Sequence, residues 1–235
     1  MKNILLLTLV ILLGGSAVIA QEKKEPEHKL IQFQMALLKR GPKWTANFHK
    51  DSPDTQKKHV DYVQELIKSD KLMIAGRIQD DPELQAVYIF RTASAEDAQK
   101  WVDADPAVAS GYLVSELHPW WSEDVMKRIT PSNPTNLMTA YLAFLTRGDK
   151  WTPEKTAATE EIQKAHLANI QKLADMKKLV VAGPFGDNGK LRGIFVFKVA
   201  SLEEARSLAA TDPAVQAGRL ALQIHPWLVP EGVLP

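Results

Sequence analysis

The sequence contains no cysteine among its 235 residues. This excludes disulfide bonds, thiolate metal ligands, a cysteine nucleophile and a lipoprotein anchor attached at cysteine. An excess of one charge is also missing, because 29 lysines and arginines are balanced by 28 acidic residues. The sequence therefore indicates neither a basic surface for nucleic acid nor an acidic tail for a cationic partner.

Motifs of several large enzyme classes are missing as well. The chain has no serine nucleophile elbow, no phosphate-binding loop and no glycine pattern for a dinucleotide. The segment Gly186-Asp187-Asn188-Gly189 is typical of a hairpin turn rather than a phosphate cradle. The sequence therefore predicts no cofactor, and any chemistry must come from other side chains.

One long hydrophobic run is present, at the N-terminus. Lys2 precedes an apolar stretch from Ile4 to Leu13, and a glycine break leads to small residues that end at Ala20. This order is typical of a cleaved secretory signal peptide over residues 1–20. An uncleaved anchor is the alternative, but a membrane-spanning helix needs about 20 apolar residues. We therefore predict an exported bacterial protein, periplasmic or secreted, without membrane contact after cleavage.

The remaining chain is an internal repeat. Four motifs recur with a constant offset of 107 residues: His59 and His166, Gly76 and Gly183, Asp105-Pro106 and Asp212-Pro213, and His118-Pro119-Trp120 and His225-Pro226-Trp227. This offset exceeds the roughly 20–50 residues of a solenoid unit and is about the length of a small domain. Two domains are predicted, at residues 30–129 and 137–235, with polar linkers at 21–29 and 130–136.

Hydrophobic periodicity predicts the same elements in both copies. Strands are expected at 30–38, 71–76, 87–90 and 111–117, and in the second copy at 137–145, 178–183, 194–197 and 218–224. A first helix carries His59 on an apolar stripe with Val63 and Leu66, so this histidine should face the core, as should His166. Ser94 and Ser201 are predicted N-caps of the second helices. The resulting order, βαββαβ, is the ferredoxin-like α+β plan.

These motifs resemble the YCII-related family over both copies. They are a first strand leading to Arg-Gly-x-x-Trp, a mid-helix histidine, Ala-Gly before a hairpin, Asp-Pro-x-x-x-x-Gly and a closing Pro-Trp. The resemblance implies that the two ferredoxin-like domains pair as a dimeric α/β barrel within one chain. Such a pseudo-dimer would be a monomer or a higher homo-oligomer. The first copy has Ala75-Gly76-Arg77 where the second has Ala182-Gly183-Pro184, so the two pockets need not be equivalent.

The resemblance also implies a catalytic His–Asp pair, His59 with Asp105 and His166 with Asp212. Histidine transfers protons near neutral pH, because its ordinary pKa is about 6.5. A carboxylate bound to one ring nitrogen leaves the other nitrogen as a base. The alternatives are core histidines and aspartates that only cap helices, since Asp-Pro is typical of a helix start. Both interpretations of aspartate hold if one oxygen caps while the other faces the histidine.

Two further groups of residues are candidates for binding. Arg40 with Trp44 and Arg147 with Trp151 are candidates for the rim of a pocket for a flat anionic small molecule. The alternative is that each tryptophan only anchors a loop.

His118 and His225 are candidates for a third metal ligand beside the His–Asp pairs. No short ligand motif is present, so packing at the strand end is favoured and no metal site is predicted.

The predicted function is that of a small-molecule enzyme of the YCII-related type. It would carry out His/Asp-assisted proton transfer, as an isomerase or lyase, on a small cyclic or aromatic-derived acid; this reaction class comes from the resemblance. The alternative is an exported non-catalytic module that binds a small ligand or acts as a scaffold. The fold itself does not decide, because ferredoxin-like domains host many functions.

Overall fold

The computed structural model describes residues 29–127 and 136–235. The predicted signal peptide lies outside the described residues, as do residues 21–28 of the first linker and 130–135 of the second. Within the two described ranges, no helix has both the length and the apolar character needed to cross a membrane.

Both repeats have the predicted βαββαβ order, with short additional helices. The first contains β1 (Ile31–Arg40), α1 (Phe48–Asp51), α2 (Pro53–Lys68), β2 (Leu72–Ile78), β3 (Leu84–Phe90), α3 (Ala95–Asp103), α4 (Pro106–Ala109) and β4 (Leu113–Ser122). The second contains β5 (Leu137–Arg147), α5 (Ala157–Asp175), β6 (Leu179–Pro184), β7 (Leu191–Phe197), α6 (Leu202–Ala209), α7 (Pro213–Gln216) and β8 (Leu220–Pro230).

The strands form one sheet in the order β4-β1-β3-β2-β8-β5-β7-β6. Each half has the ferredoxin-like order, and the halves join where β2 pairs with β8, with Ile78 opposite Trp227. At the other end, Trp120 of β4 bridges to Phe185, which follows β6. The sheet therefore curls into a barrel with two inter-repeat seams, β2–β8 and β4–β6, which confirms the predicted pseudo-dimer.

Strand alternation divides the hydrophobic residues into three cores. On β1, Phe33 and Met35 belong to a central core that both repeats share, while Ala36 and Leu38 face the helices of the first repeat. A separate outer core packs the helices of the second repeat on the other side of the barrel wall. Trp120 and Trp227 are fully buried in the central core. Separating the repeats would therefore expose the two largest of the fully buried side chains.

Helix starts follow the predicted caps. The Ser94 hydroxyl accepts a hydrogen bond from the Asp97 backbone N–H, and Ser201 accepts one from Glu204. Thr156, which was not predicted, forms a capping box at the start of α5. Polar side chains thus satisfy backbone donors at these helix starts, as expected from the sequence.

The predicted ends of the last strands were wrong. β4 and β8 do not stop before His-Pro-Trp but continue through it to Ser122 and Pro230. Proline interrupts a strand because it lacks an N–H. Here its carbonyl is used instead: Pro119 accepts a hydrogen bond from Gly186 N at 2.7 Å, and Pro226 accepts one from Gln79 N at 3.2 Å. The carbonyl of each proline therefore accepts a hydrogen bond from the opposite repeat, and the strand continues beyond the proline.

Candidate functional site

The two predicted His–Asp pairs are formed, one in each repeat. Nδ1 of His59 lies 2.7 Å from Oδ1 of Asp105 and 3.0 Å from Oδ2. Nδ1 of His166 lies 2.7 Å from Oδ2 of Asp212. The aspartate side chains are 1% and 0% exposed, while the histidine side chains are 18% and 11% exposed. Each pair thus presents a buried carboxylate behind an imidazole that reaches the surface.

Both aspartates are also helix caps. Oδ1 of Asp105 accepts from the Ala107 backbone N–H at 2.9 Å, at the start of α4. Oδ1 of Asp212 accepts from Ala214 and Val215 at the start of α7, which leaves Oδ2 for His166. The two interpretations of Asp-Pro are therefore compatible, since one carboxylate caps a helix and binds an imidazole. The cap fixes the carboxylate, and the carboxylate in turn fixes the ring.

The pairs differ in their surroundings. In the first repeat, the Tyr88 hydroxyl lies 3.5 Å from Oδ2 of Asp105, and burial together with the Asp105 charge holds the pKa of Tyr88 well above its usual value. In the second repeat, the position of Tyr88 is taken by Phe195, whose ring stacks on His166 at 5.9 Å. The two His–Asp pairs therefore differ in the aromatic residue beside them, a tyrosine hydroxyl near the carboxylate in the first repeat and a phenylalanine ring against the imidazole in the second.

A second set of His–Asp pairs crosses between the repeats. Nδ1 of His118 lies 2.6 Å from Oδ2 of Asp187, and Nδ1 of His225 lies 2.8 Å from Oδ1 of Asp80. Both histidines are more than nine-tenths buried, and their rings contact phenylalanines of the central core. Nε2 of each ring is buried and has no hydrogen-bond partner among the described residues, although Glu116 Oε1 lies 3.1 Å from that of His118.

His118 and His225 were considered either as a third metal ligand or as residues that pack at a strand end, and the crossed pairs differ from both. Neither ring joins the first set of pairs, and no group of three or more possible metal-ligating side chains occurs in residues 29–127 and 136–235. The rings also do more than pack at a strand end, because each binds a carboxylate of the other repeat. One signal in the sequence points to these partners, because Asp80 and Asp187 recur with the same 107-residue offset as the histidines.

The repeated Ala-Gly and Pro-Trp motifs meet at the seams. A Cβ atom on Gly76 would lie 2.0 Å from Nε1 of Trp227, and one on Gly183 would lie 1.8 Å from the backbone oxygen of Trp121. Nε1 of Trp120 donates a hydrogen bond to the Gly183 carbonyl at 3.1 Å. Glycine is thus required at both positions for space, because the strand of the other repeat lies directly against the backbone.

The arginine and the tryptophan predicted to bind a ligand lie beside each other in each repeat, but at different distances. The Arg40 guanidinium lies 5.2 Å from the ring centre of Trp44, whose ring packs in the first outer core near Phe48. The Arg147 guanidinium lies 4.0 Å from the ring centre of Trp151. Arg40 and Arg147 are the last residues of β1 and β5, so these two strands run two residues further than predicted. Each arginine thus lies over the tryptophan that follows it in the chain, and the contact is closer in the second repeat.

Comparison with known proteins agrees with this architecture. Residues 34–120 and 143–228 match the family model of the YCII-related domain. A 90-residue segment is 32% identical to protein YjpA of Bacillus subtilis (strain 168) and covers 38% of this chain and 95% of YjpA. A length close to one repeat therefore matches nearly the whole relative.

Solved structures share the fold at low sequence identity. Chlorite dismutase from Candidatus Nitrospira defluvii superposes with a TM-score of 0.56 at 11% identity, over 86% of this chain and 92% of the other. A heme-binding protein from Thermus thermophilus gives 0.50 at 12% identity, over 87% and 93%. At these identities the likeness concerns the barrel fold alone. Because the family match spans both repeats and more than half of the residues, the chain belongs to the YCII-related family, as a tandem duplication of its domain.

Proposed function

We propose that the chain is a small-molecule enzyme in which His59 and His166 transfer a proton. The proposed reaction is of the isomerase or lyase type, and the substrate is a small cyclic or aromatic-derived acid. The observation that carries the proposal is the buried carboxylate 2.7 Å behind Nδ1 of each histidine. Membership of the YCII-related family supports a small-molecule function.

The pair geometry favours a base at Nε2. A carboxylate accepts only, so it holds the ring in the tautomer that carries hydrogen on Nδ1 and leaves a lone pair on Nε2. Nε2 then takes a proton from a carbon acid, and the imidazolium so formed is stabilised by the adjacent carboxylate. The same proton returns to another atom of the substrate in an isomerisation, or leaves with a departing group in an elimination. In this proposal Arg147 orients the acid group of the substrate in the second repeat, and Arg40 is the related ligand-binding candidate of the first.

Asp212→Asn separates the cap from the proton transfer. The Asn amide oxygen still accepts from Ala214 and Val215, so stability should change by less than about 1 kcal/mol. The amide nitrogen would donate to Nδ1 of His166 and reverse the tautomer, which should lower the second-repeat rate by about 10²–10⁴-fold. In the first repeat Oδ1 of Asp105 accepts from Ala107 and also lies nearest Nδ1 of His59, so Asp105→Asn there tests the loss of the negative charge that stabilises the imidazolium. Asp212→Ala is the matched control, because it loses the cap as well and should cost about 0.5–2 kcal/mol.

Deuterium incorporation provides an assay without a known product. Small lactones, phenols and carboxylic acids are incubated in D2O with the protein, and NMR records exchange at carbon. The Asp105→Asn/Asp212→Asn double variant should exchange no faster than buffer. Exchange by the wild type that persists in this variant would refute the role of the pairs.

A second function, ligand binding without turnover, is favoured by one observation. Capping alone accounts for both buried aspartates, because each accepts backbone hydrogen bonds at a helix start. This function predicts that the panel compounds shift NMR signals of the protein but that none exchanges deuterium. The enzyme proposal requires exchange with at least one compound.

We also propose that the protein is exported. The proposal rests on the sequence of residues 1–20 and agrees with the lack of cysteine. N-terminal sequencing of protein recovered from the bacterial periplasm or medium tests it, and the expected first residue is Gln21. Recovery with the initiator methionine in place would contradict cleavage.

A further inference from the structure

The two inter-repeat hairpins carry opposite charge. At four related positions the residues differ in charge: Asp81 against Asn188, Glu83 against Lys190, Gln85 against Arg192 and, in the opposite sense, Arg77 against Pro184. Asp80 and Asp187 occupy related positions, so both hairpins have an aspartate there. The Asp80 carboxylate binds the buried His225, and the Asp187 carboxylate binds the buried His118. The β2–β3 hairpin is therefore acidic, whereas the β6–β7 hairpin is basic, although both arose from one sequence.

At the basic hairpin, two arginines converge on one tryptophan. The guanidinium carbons of Arg147 and Arg192 lie 4.0 and 5.7 Å from the ring centre of Trp151. We call Arg147, Trp151 and Arg192 the basic corner. Two positive charges therefore lie beside one aromatic ring, and a bound anion would lower their mutual repulsion.

The basic corner has no carboxylate partner of its own. Within residues 29–127 and 136–235, neither guanidinium forms an ion pair; Arg147 donates to the Asn188 backbone oxygen at 2.6 Å. Nε of Arg147 and Nη1 of Arg192 are buried and have no hydrogen-bond partner in the part of the chain that the structure describes. The charge of Arg192 contributes to lowering the pKa of Asp187, but the Asp187 carboxylate is already bound by His118 and the Gly189 N–H.

The first repeat provides the contrast. Burial alone would raise the pKa of Asp81, but backbone N–H groups and the charges of His225 and Arg40 lower it overall. Arg40 thus already has a carboxylate nearby, at the position that Asn188 occupies in the second repeat. A second arginine is also lacking there, because Gln85 stands in place of Arg192. The charge available to bind an anion is therefore found in the second repeat.

We propose that the basic corner is a carboxylate-binding site present in the second repeat only. Two guanidinium groups offer several N–H donors in the planar arrangement that suits a carboxylate. The ligand class is a small organic acid whose carboxylate lies against Arg147 and Arg192. The inference deepens the proposed function, because it places the acid group of the substrate beside one repeat.

NMR titration of the full chain tests this site. The arginine Nε–H signals and the Trp151 indole N–H are followed during addition of sodium acetate, sodium benzoate or inorganic phosphate at constant ionic strength. Acetate and benzoate should give saturable shifts in the wild type. Arg192→Gln and Asn188→Asp, which introduce the residues of the first repeat, should each weaken binding by about ten-fold or more. Gln85→Ala, at the position related to Arg192, is the matched control and should bind as the wild type does.

Three results would overturn the proposal. Saturation by phosphate at lower concentration than by either carboxylate would assign the site to phosphoryl ligands. Equal binding by Arg192→Gln and the wild type would remove the second arginine from the site. Absence of shifts, with self-association at low salt that Arg192→Gln abolishes, would assign the basic hairpin to contact with the acidic hairpin of another molecule.

The same titration distinguishes this inference from the proposed function. Asp105→Asn/Asp212→Asn leaves the basic corner intact, so it should bind acetate and benzoate normally while showing no deuterium exchange. Carboxylate binding by a wild type that exchanges nothing would refute the enzyme and leave the site standing. If the wild type exchanges deuterium, Arg192→Gln leaves that exchange unchanged and no carboxylate shifts any signal, the carboxylate site is refuted and the enzyme proposal stands.

Discussion

Gly76→Ala should destabilise the protein far more than a single methyl group usually does. The added Cβ would lie 2.0 Å from Nε1 and 2.3 Å from Cε2 of Trp227. An ordinary contact begins at about 3.4 Å, so the indole must move by more than an ångström. Trp227 is fully buried in the central core. It lies on β8, which pairs with β2 so that Trp227 is opposite Ile78. A shift of the ring therefore disturbs the junction between the repeats.

The expected cost is about 2–4 kcal/mol. Overpacking of a dense core costs about 1–3 kcal/mol, and loss of a buried tryptophan's contacts costs about 3–5 kcal/mol. Partial displacement of Trp227 lies between these limits. Trp227→Phe provides the matched background, because phenylalanine lacks the indole nitrogen that the methyl group would meet. Nε1 of Trp227 has no hydrogen-bond partner among the described residues, so this change removes no hydrogen bond.

Urea unfolding followed by far-UV circular dichroism measures the free energy of unfolding of four proteins: the wild type, Gly76→Ala, Trp227→Phe and the double variant. The wild type should unfold in one transition, because both repeats contribute to the central core. Gly76→Ala should cost about 1–3 kcal/mol less in the Trp227→Phe background than in the wild type. A cost below about 0.5 kcal/mol, or an equal cost in both backgrounds, would refute close packing at this seam.

Three further outcomes are expected. Trp120→Phe should lower the free energy of unfolding by about 1 kcal/mol more than Trp227→Phe, because only the Trp120 indole donates a hydrogen bond, to Gly183 O; equal costs would contradict this. Burial holds the pKa of Tyr88 well above its usual value, so absorbance at alkaline pH should show Tyr88 ionising only on unfolding, and the folded state should lose stability above about pH 10. Burial raises the pKa of Asp187, but hydrogen bonds from His118 and Gly189 with the charges of His118 and Arg192 lower it overall, so stability should fall below about pH 4, and less so in Asp187→Asn; identical acid unfolding would contradict this.

The sequence placed the histidines and aspartates of the first set of pairs on their elements, and the family resemblance implied that they pair. Helical spacing placed His59 on the buried face of α2, and Asp-Pro marked a helix start that fixes Asp105. Both signals are local, and the 107-residue offset showed that they recur. The role of these residues came from family resemblance, because spacing alone does not distinguish a base from a core histidine.

The crossed pairs were not predicted, because their partners belong to different repeats. His118 and Asp187 are 69 residues apart, and His225 and Asp80 are 145 apart. Hydrophobic periodicity describes one element at a time and contains no information on such pairs. The early end predicted for β4 has the same origin: Pro119 breaks a strand by local rules, whereas its carbonyl bonds to a turn of the other repeat. Both errors concern the seams.

Fusion of the two repeats into one polypeptide removes a constraint that identical subunits share. In an assembly of two identical chains, every substitution is inherited by both halves of the barrel, and any change in one binding surface is copied to the other. Here each half has its own codons. An arginine at position 192 need not be matched by one at position 85. The acidic β2–β3 hairpin and the basic β6–β7 hairpin therefore differ in charge, although both keep the aspartate that binds a histidine of the other repeat. One half can thus specialise for a ligand while the other preserves the architecture.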